Sequence, residues 1–167
     1  MEKDYTALVP FGEMEPSIGF ASNKGTYMST LSSRKLAVNI TNIPEVQVRI
    51  FKIYENNIQA FMRYHRYNDY YEEDESESFN YNDYNLENLG DEIMNQKYET
   101  ENLAMQNGVH LLNLDFSVNN QHSGIYLISI SSTRDRWMKA GKIVSISDIG
   151  LIARQAEDEV YVFVNSI

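Results

Sequence analysis

Apolar side chains fall at every second position in six separate stretches of this chain, and no other feature of the sequence restricts the fold as strongly. Leu36, Val38 and Ile40 alternate with Lys35, Ala37, Asn39 and Thr41. Val46, Val48 and Ile50 repeat the pattern, then Leu112, Leu114 and Phe116, then Tyr126, Ile128 and Ile130, then Val144 and Ile146, then Val160, Val162 and Val164. Successive side chains of an extended strand point to opposite faces, so a spacing of two gives each stretch one apolar face. An amphipathic helix needs apolar residues three and four apart, and no convincing stripe of that kind appears.

Between 45 and 54 the apolar face changes side. Val46, Val48 and Ile50 share one face and Phe51 and Ile53 take the other, which predicts a bulge or a strand covered on both sides. Asn42-Ile43-Pro44 ends the strand before it, because proline cannot donate to a ladder. Glu55-Asn56-Asn57 supplies turn residues, and Ile58, Ala60 and Met62 read as a return strand, so 45–64 is expected to be a β-hairpin. Residues 86–106 admit a short helix striped by Leu86, Leu89 and Ile93, or a strand from Glu92 to Thr100. Gly90 favours the strand. Asn119 to Gly124 is a polar turn, and Thr133 to Lys142 an exposed connection. Ile125 and Leu127 back the Tyr126 face, which predicts a central strand. Asp148-Ile149-Gly150 is a turn or kink, and Ala156-Glu157-Asp158 a tight turn before a last strand with both faces apolar. Such a strand is covered on two sides or lies at a domain boundary. Seven to nine short strands argue for an antiparallel, immunoglobulin-like β-sandwich. Gly124-Ile125-Tyr126 suits either a tyrosine corner or an ordinary core tyrosine.

Charge is unevenly spread. The 167 residues carry 24 acids and 14 bases, a net charge of −10. Twelve of the acids and a single base, Lys97, lie between Asp69 and Glu101, which leaves thirteen bases against twelve acids elsewhere. A nucleic-acid surface needs clustered Lys and Arg, and an anionic membrane surface needs the same. Neither is an expected partner. No apolar run approaches the roughly 20 residues that cross a bilayer as a helix. The start, Met1 to Tyr5, lacks the order of a signal peptide, so an exported parent is expected to have lost its signal.

The acidic stretch from Asp69 to Asn85 has two readings. The favoured one is a solvated loop, since dense like charge resists compaction. The other is a calcium site built from Asp69, Glu72, Glu73, Asp74, Glu75 and Glu77, because hard cations take clustered carboxylates. The spacing does not match an EF-hand loop, which needs a glycine at its sixth position and a closing glutamate. Tyr70, Tyr71, Tyr81 and Tyr84 are candidates to contact a partner through their amphipathic rings. Trp137, the single tryptophan, reads first as a ring packed over the end of the sandwich and second as an anchor for a ligand or neighbouring domain.

Catalytic patterns are missing. No cysteine is present, so thiol nucleophiles, disulfides and cysteine zinc sites are excluded. His65, His110 and His122 are far apart, show no metal-ligand spacing and read as surface or satisfied histidines. No serine lies in a G-x-S-x-G elbow and no phosphate-binding glycine loop occurs. The carboxylates crowd one expected loop, where nothing would desolvate them as glycosidase chemistry requires. Neither enzyme activity nor a cofactor is expected. Asn39-Ile40-Thr41 is a glycosylation sequon on a strand.

Three segments resemble the bacterial alpha-2-macroglobulin family, in particular its N-terminal macroglobulin-like domains. They are Asn39 to Ile58 (NITNIPEVQVRIFKIYENNI), Ser123 to Ile128 (SGIYLI), and Ser147 to Arg154 (SDIGLIAR) with Val160 to Asn165 (VYVFVN). The resemblance covers about 35–64 and 109–167, and the last segment is its most specific part. It implies a macroglobulin-type sandwich at 35–149 with an acidic insertion at 65–89. A lead-in with the first strand or strands at 1–34 precedes it. A terminal hairpin at 150–167 would end this domain or open the next. It further implies a non-catalytic structural and interaction domain of an exported proteinase-trapping protein, in the bacterial periplasm or at the cell surface, with lipid anchoring of the parent left open. Its partners would be neighbouring macroglobulin domains of the same chain and, for the whole protein, target proteinases. Many whole members carry a Cys-Gln thioester, which this cysteine-free segment cannot hold. The alternative is a free-standing binding module that takes calcium, glycan or protein through its acidic, tyrosine-rich loop.

Overall fold

The computed structural model describes residues 12, 14–22, 26–29, 35–60, 88, 90–116, 123–156 and 158–166. Eleven strands run through them. They are β1 (Ser17–Phe20), β2 (Thr26–Ser29), β3 (Lys35–Thr41), β4 (Glu45–Ile53), β5 (Gly90–Glu99), β6 (Ala104–Gln106), β7 (Val109–Asp115), β8 (Gly124–Ser132), β9 (Lys139–Ser147), β10 (Ile149–Ala156) and β11 (Glu159–Ser166). One sheet has the order β1-β3-β7-β6 and another β2-β9-β8-β4-β5, while among the described residues β10 and β11 pair only with each other. All pairings are antiparallel except β2 with β9.

The two larger sheets face each other across one apolar core. Leu36, Val38 and Ile40 from β3 and Leu112 and Leu114 from β7 meet Val46, Val48 and Ile50 from β4. Tyr126, Ile128 and Ile130 from β8 and Val144 and Ile146 from β9 complete it. Every one of these is a position that the two-residue period marked, and β8 lies at the centre of its sheet as expected. Tyr126 is buried among them. Burying one such Leu, Ile or Val contributes about 1.5–3 kcal/mol, so the alternation alone accounts for most of the driving force.

The expected hairpin over 45–64 does not form. After β4 the chain enters a 3-10 turn at Glu55–Asn57 and continues helically through 58–60. Met62 and the acidic insertion, residue 88 apart, lie outside the described residues. The partner of β4 on this side is β5, which starts at Gly90, as the favoured reading of 86–106 implied in kind. β4 itself has no bulge, since its ladder with β8 is unbroken; of the two expectations for this strand, cover on both sides is the one found, and the ladder with β5 skips between Ile50 and Phe51, where Ile93 is the extra residue of a bulge in β5. It turns Met94 to the core and Glu92 outward, level with Phe51.

β4 is also buried on its outer side. Phe51, Ile53 and Leu127 form a second apolar cluster, packed by Ile58, Ile125 and Ile143. Gly90 sits so close to β4 that a Cβ there would lie 2.2 Å from the Lys52 carbonyl oxygen. Thr100, just past β5, is buried, and its Oγ donates to the Ile43 carbonyl at 2.6 Å while its amide donates to the Pro44 carbonyl at 2.9 Å. That tie joins the end of β5 to the β3–β4 turn, where Asn42 takes a left-handed φ of 49°. Asn107 and Gly108, at φ 52° and 81°, make the tight turn between β6 and β7, the Asn-Gly pairing that two-residue hairpins favour. His110 on β7 is half-buried, and among the described residues its Nδ1 has no hydrogen-bond partner, which corrects the satisfied-histidine reading. The sequon residue Asn39 is paired into the ladder on both sides.

Three substitutions test this packing by urea denaturation. Gly90→Ala should cost about 1–3 kcal/mol by overpacking, whereas Gly19→Ala, with nothing within 4 Å of the added carbon, should stay within about 0.5 kcal/mol. Thr100→Val should cost about 1–3 kcal/mol, because it keeps the side-chain shape and strips a buried donor from two carbonyls.

Candidate interaction site

Two surfaces stand out from the ordinary exterior, one polar and one apolar. The polar one is on the outer face of the five-stranded sheet. Strand alternation that turns Val46, Val48 and Ile50 inward turns Gln47 and Arg49 outward. Ser129 and Ser131 of β8 lie beside them in register. Asn95 and Lys97 flank them from β5, and Lys139 from β9. With the β8–β9 loop these residues enclose a hollow of about 690 Å³.

The floor is held by a hydrogen-bonded chain. Gln47 Nε2 donates to Asn95 Oδ1 at 2.7 Å, and Asn95 Nδ2 donates to Glu92 Oε1 at 2.8 Å. Glu92 Oε2 accepts from Arg49 Nε at 2.7 Å. The Arg49 guanidinium then lies 4.7 Å from the centre of the buried Phe51 ring, a stacking that the planar cation favours. Lys97 Nζ lies 3.5 Å from Glu45 Oε1. Exposed pairs of this kind contribute about 0–1 kcal/mol, so they order the cations without locking them.

The loop above the hollow is fixed by its own backbone. Ser132 Oγ accepts from the amides of Arg134 and Asp135 at 3.3 and 3.2 Å. Asp135 Oδ1 accepts from the Trp137 amide at 3.1 Å, and the Ser132 amide donates to the Met138 carbonyl at 2.9 Å. The Thr133 amide donates to the Glu45 carbonyl at 3.2 Å. Held this way, Trp137 leaves 90% of its surface exposed at the hollow's edge. The packed ring that the sequence reading favoured is therefore corrected: the loop closes on itself through Ser132 and Asp135 and carries the indole outward.

The apolar surface is the β10–β11 hairpin. Its register pairs Leu151 with Val164 and Ala153 with Val162, which gathers Ile149, Leu151, Ala153, Val160, Val162 and Val164 on one face. The other face mixes Ile152, Tyr161 and Phe163 with Arg154, Glu159 and Asn165. Leu151 is 63% exposed and Phe163 61%. Tyr161 Oη donates to Glu159 Oε2 at 2.5 Å, and that bond to a carboxylate pushes the tyrosine pKa up. A two-stranded ribbon alone is marginal in water and needs a third strand or a packing surface. The last strand, expected to be covered or at a boundary, is thus apolar on both faces and uncovered by any other described strand.

Of the metal and interaction candidates singled out from sequence, Trp137 alone is described. Tyr70, Tyr71, Tyr81, Tyr84 and the candidate calcium ligands Asp69, Glu72, Glu73, Asp74, Glu75 and Glu77 lie outside the described residues, as do His65 and His122. Among the described residues no group of three or more acids or histidines is placed to hold a metal ion. Sequence reasoning missed Gln47, Arg49, Lys97 and Lys139 as neighbours. Their outward phase on amphipathic strands was readable, but their adjacency depends on strand order.

Two mostly antiparallel sheets packed as a sandwich, with an apolar ribbon and an anchored loop, define a β-sandwich domain. A family model described as the bacterial alpha-2 macroglobulin MG2 domain matches residues 19–135. The chain belongs to that family, one of structural, non-catalytic macroglobulin domains. It is 39% identical over 56 residues to the alpha-2-macroglobulin of two Xylella fastidiosa strains, Temecula1 and 9a5c; the match covers 33% of this chain and about 3% of those relatives' length. Its fold is similar to native alpha-2-macroglobulin from Escherichia coli spanning domains NIE-MG1, with TM-score 0.65, 19% identity, and coverage of 92% of this chain and 71% of that one. A Salmonella alpha-2-macroglobulin mutant is similar at TM-score 0.61 and 19% identity, over 95% of this chain and 8% of that one.

If the hairpin stands clear of the core, Leu151→Glu and Phe163→Glu should each change the unfolding free energy of this chain by less than about 0.5 kcal/mol. Both should lower its binding of an apolar fluorescent dye. A loss of several kcal/mol in urea would show that the ribbon packs on the sandwich.

Proposed function

We propose that this chain is a scaffolding domain of an exported, proteinase-trapping alpha-2-macroglobulin, and that its β10–β11 hairpin docks the adjoining macroglobulin domain of the same parent. The observation that carries this is the ribbon itself. Six aliphatic side chains on one face of a two-stranded sheet that no other described strand joins represent a surface that water does not favour. Covering it removes apolar area at about 25 cal/mol per Å² and supplies the packing that a lone hairpin lacks. Family membership and the multidomain chains of its structural neighbours support a neighbouring domain as the cover. Trapping itself would belong to the parent: the domain would transmit position, keeping neighbours in register while a cleaved segment elsewhere releases the closure.

The test uses the parent protein. Trypsin mixed with it should remain active on a small chromogenic peptide and lose activity on a large protein substrate. Leu151→Glu in the parent should restore cleavage of the large substrate in part and expose new sites to limited proteolysis beside the hairpin. Equal trypsin activity on both substrates in the presence of the unmutated parent would sink the trapping reading. An unchanged digestion pattern in the variant would sink the docking.

A further inference from the structure

The polar hollow gathers cations. Its lining contains Arg49, Lys97, Arg136 and Lys139, with the carboxylates of Glu92 and Glu45 on Arg49 and Lys97 at its margin. The cations are laid out by strand register. Lys97 pairs with Gln47, Gln47 with Ser131, and Ser131 with Lys139, so one row crosses β5, β4, β8 and β9 with a lysine at each end. Neighbouring strands lie about 4.8 Å apart, which puts the two lysine backbones about 14 Å from each other. The next row, Asn95 with Arg49 and Arg49 with Ser129, sets a guanidinium near the middle.

We infer that this hollow binds an extended acidic segment of a protein partner, lying across the strands with two carboxylates four residues apart. Extended chain advances about 3.3 Å per residue, so side chains at i and i+4 span about 13 Å and meet Lys97 and Lys139 together. Between them Gln47 and Ser131 offer side-chain donors and acceptors to the segment's backbone. Trp137, 90% exposed on a loop fixed by Ser132 and Asp135, gives an apolar side chain of the segment a flat surface that needs no reordering. The groove already holds carboxylates of its own rim, Glu92 on Arg49 and Glu45 on Lys97, so carboxylate is the counter-group its geometry accepts. Such exposed pairs are weak and exchangeable. At physiological salt the Debye length is about 8 Å, which limits repulsion from the acids elsewhere in the chain. The face used is the sheet's outer side and does not depend on what covers the hairpin.

The single tryptophan makes the test direct. The 167-residue chain is titrated to millimolar concentration with a synthetic, end-blocked peptide of serine and threonine carrying two glutamates four apart and one leucine, and Trp137 emission is followed. A saturable change is expected, weakened at least tenfold in Lys97→Ser and in Lys139→Ser, which should keep the wild-type melting temperature, and weakened by added salt. Three comparison ligands are the same peptide with lysines, the peptide with its glutamates adjacent, and a galacturonate oligomer. An equal response to either comparison peptide overturns the inference, as does tighter binding of the galacturonate. So does no response to the acidic peptide by fluorescence and calorimetry alike, or undiminished binding in both variants.

Discussion

The double burial of β4 governs this molecule. Its Val46, Val48 and Ile50 enter the inter-sheet core and its Phe51 and Ile53 enter a second cluster behind it. A strand with one apolar face tolerates a register slip poorly, and one with both faces apolar relies on its neighbours to fix its register. On the β5 side the extra residue Ile93 shifts that register between Ile50 and Phe51. It lets Met94 pack inward while Glu92 turns outward to meet Arg49. The close approach of Gly90 to the Lys52 carbonyl closes the far end of the same ladder, where no larger residue fits.

The outer face of the large sheet is divided as a consequence. Toward the Ile53 end of β4 it is apolar, with Phe51, Ile53 and Leu127 packed together. Toward the Glu45 end it is a hydrogen-bonded floor of Gln47, Asn95 and Arg49 beside Ser129 and Ser131. Arg49 stands on the border, its guanidinium over Phe51 and its donors on Glu92. A planar cation suits that place because one face can lie on a ring while the edge stays hydrogen-bonded.

The two special surfaces differ in the kind of contact they favour. The β10–β11 ribbon presents branched aliphatic residues and few groups that could orient a partner, which suits a lasting contact whose energy comes from area. The hollow presents cations, amides and hydroxyls around one rigid indole, which suits an exchangeable contact with defined chemistry. Only Asp148 separates β9 from β10, so the ribbon is directly continuous with a core strand of the sandwich.

The inner faces of β3, β4, β7, β8 and β9 were legible residue by residue, because a period of two needs no knowledge of neighbours to show which side is apolar. The apolar residues on both sides of the Val46 to Ile53 strand, the central place of the Tyr126 strand and the doubly apolar last strand were legible for the same reason. Strand order was not. Val46 to Ile53 pairs with residues more than thirty positions away in β5 rather than with the chain that directly follows it at 58–60, since a ladder partner is chosen by core packing and not by nearness in sequence. The exposure of Trp137 also escaped, because it depends on Ser132 and Asp135 closing their loop. Sequence alone thus determined which side chains shun water and hence the sandwich. Tertiary structure decided which outward residues became neighbours, because Lys97, Gln47, Ser131 and Lys139 share a row only once four distant strands are laid edge to edge.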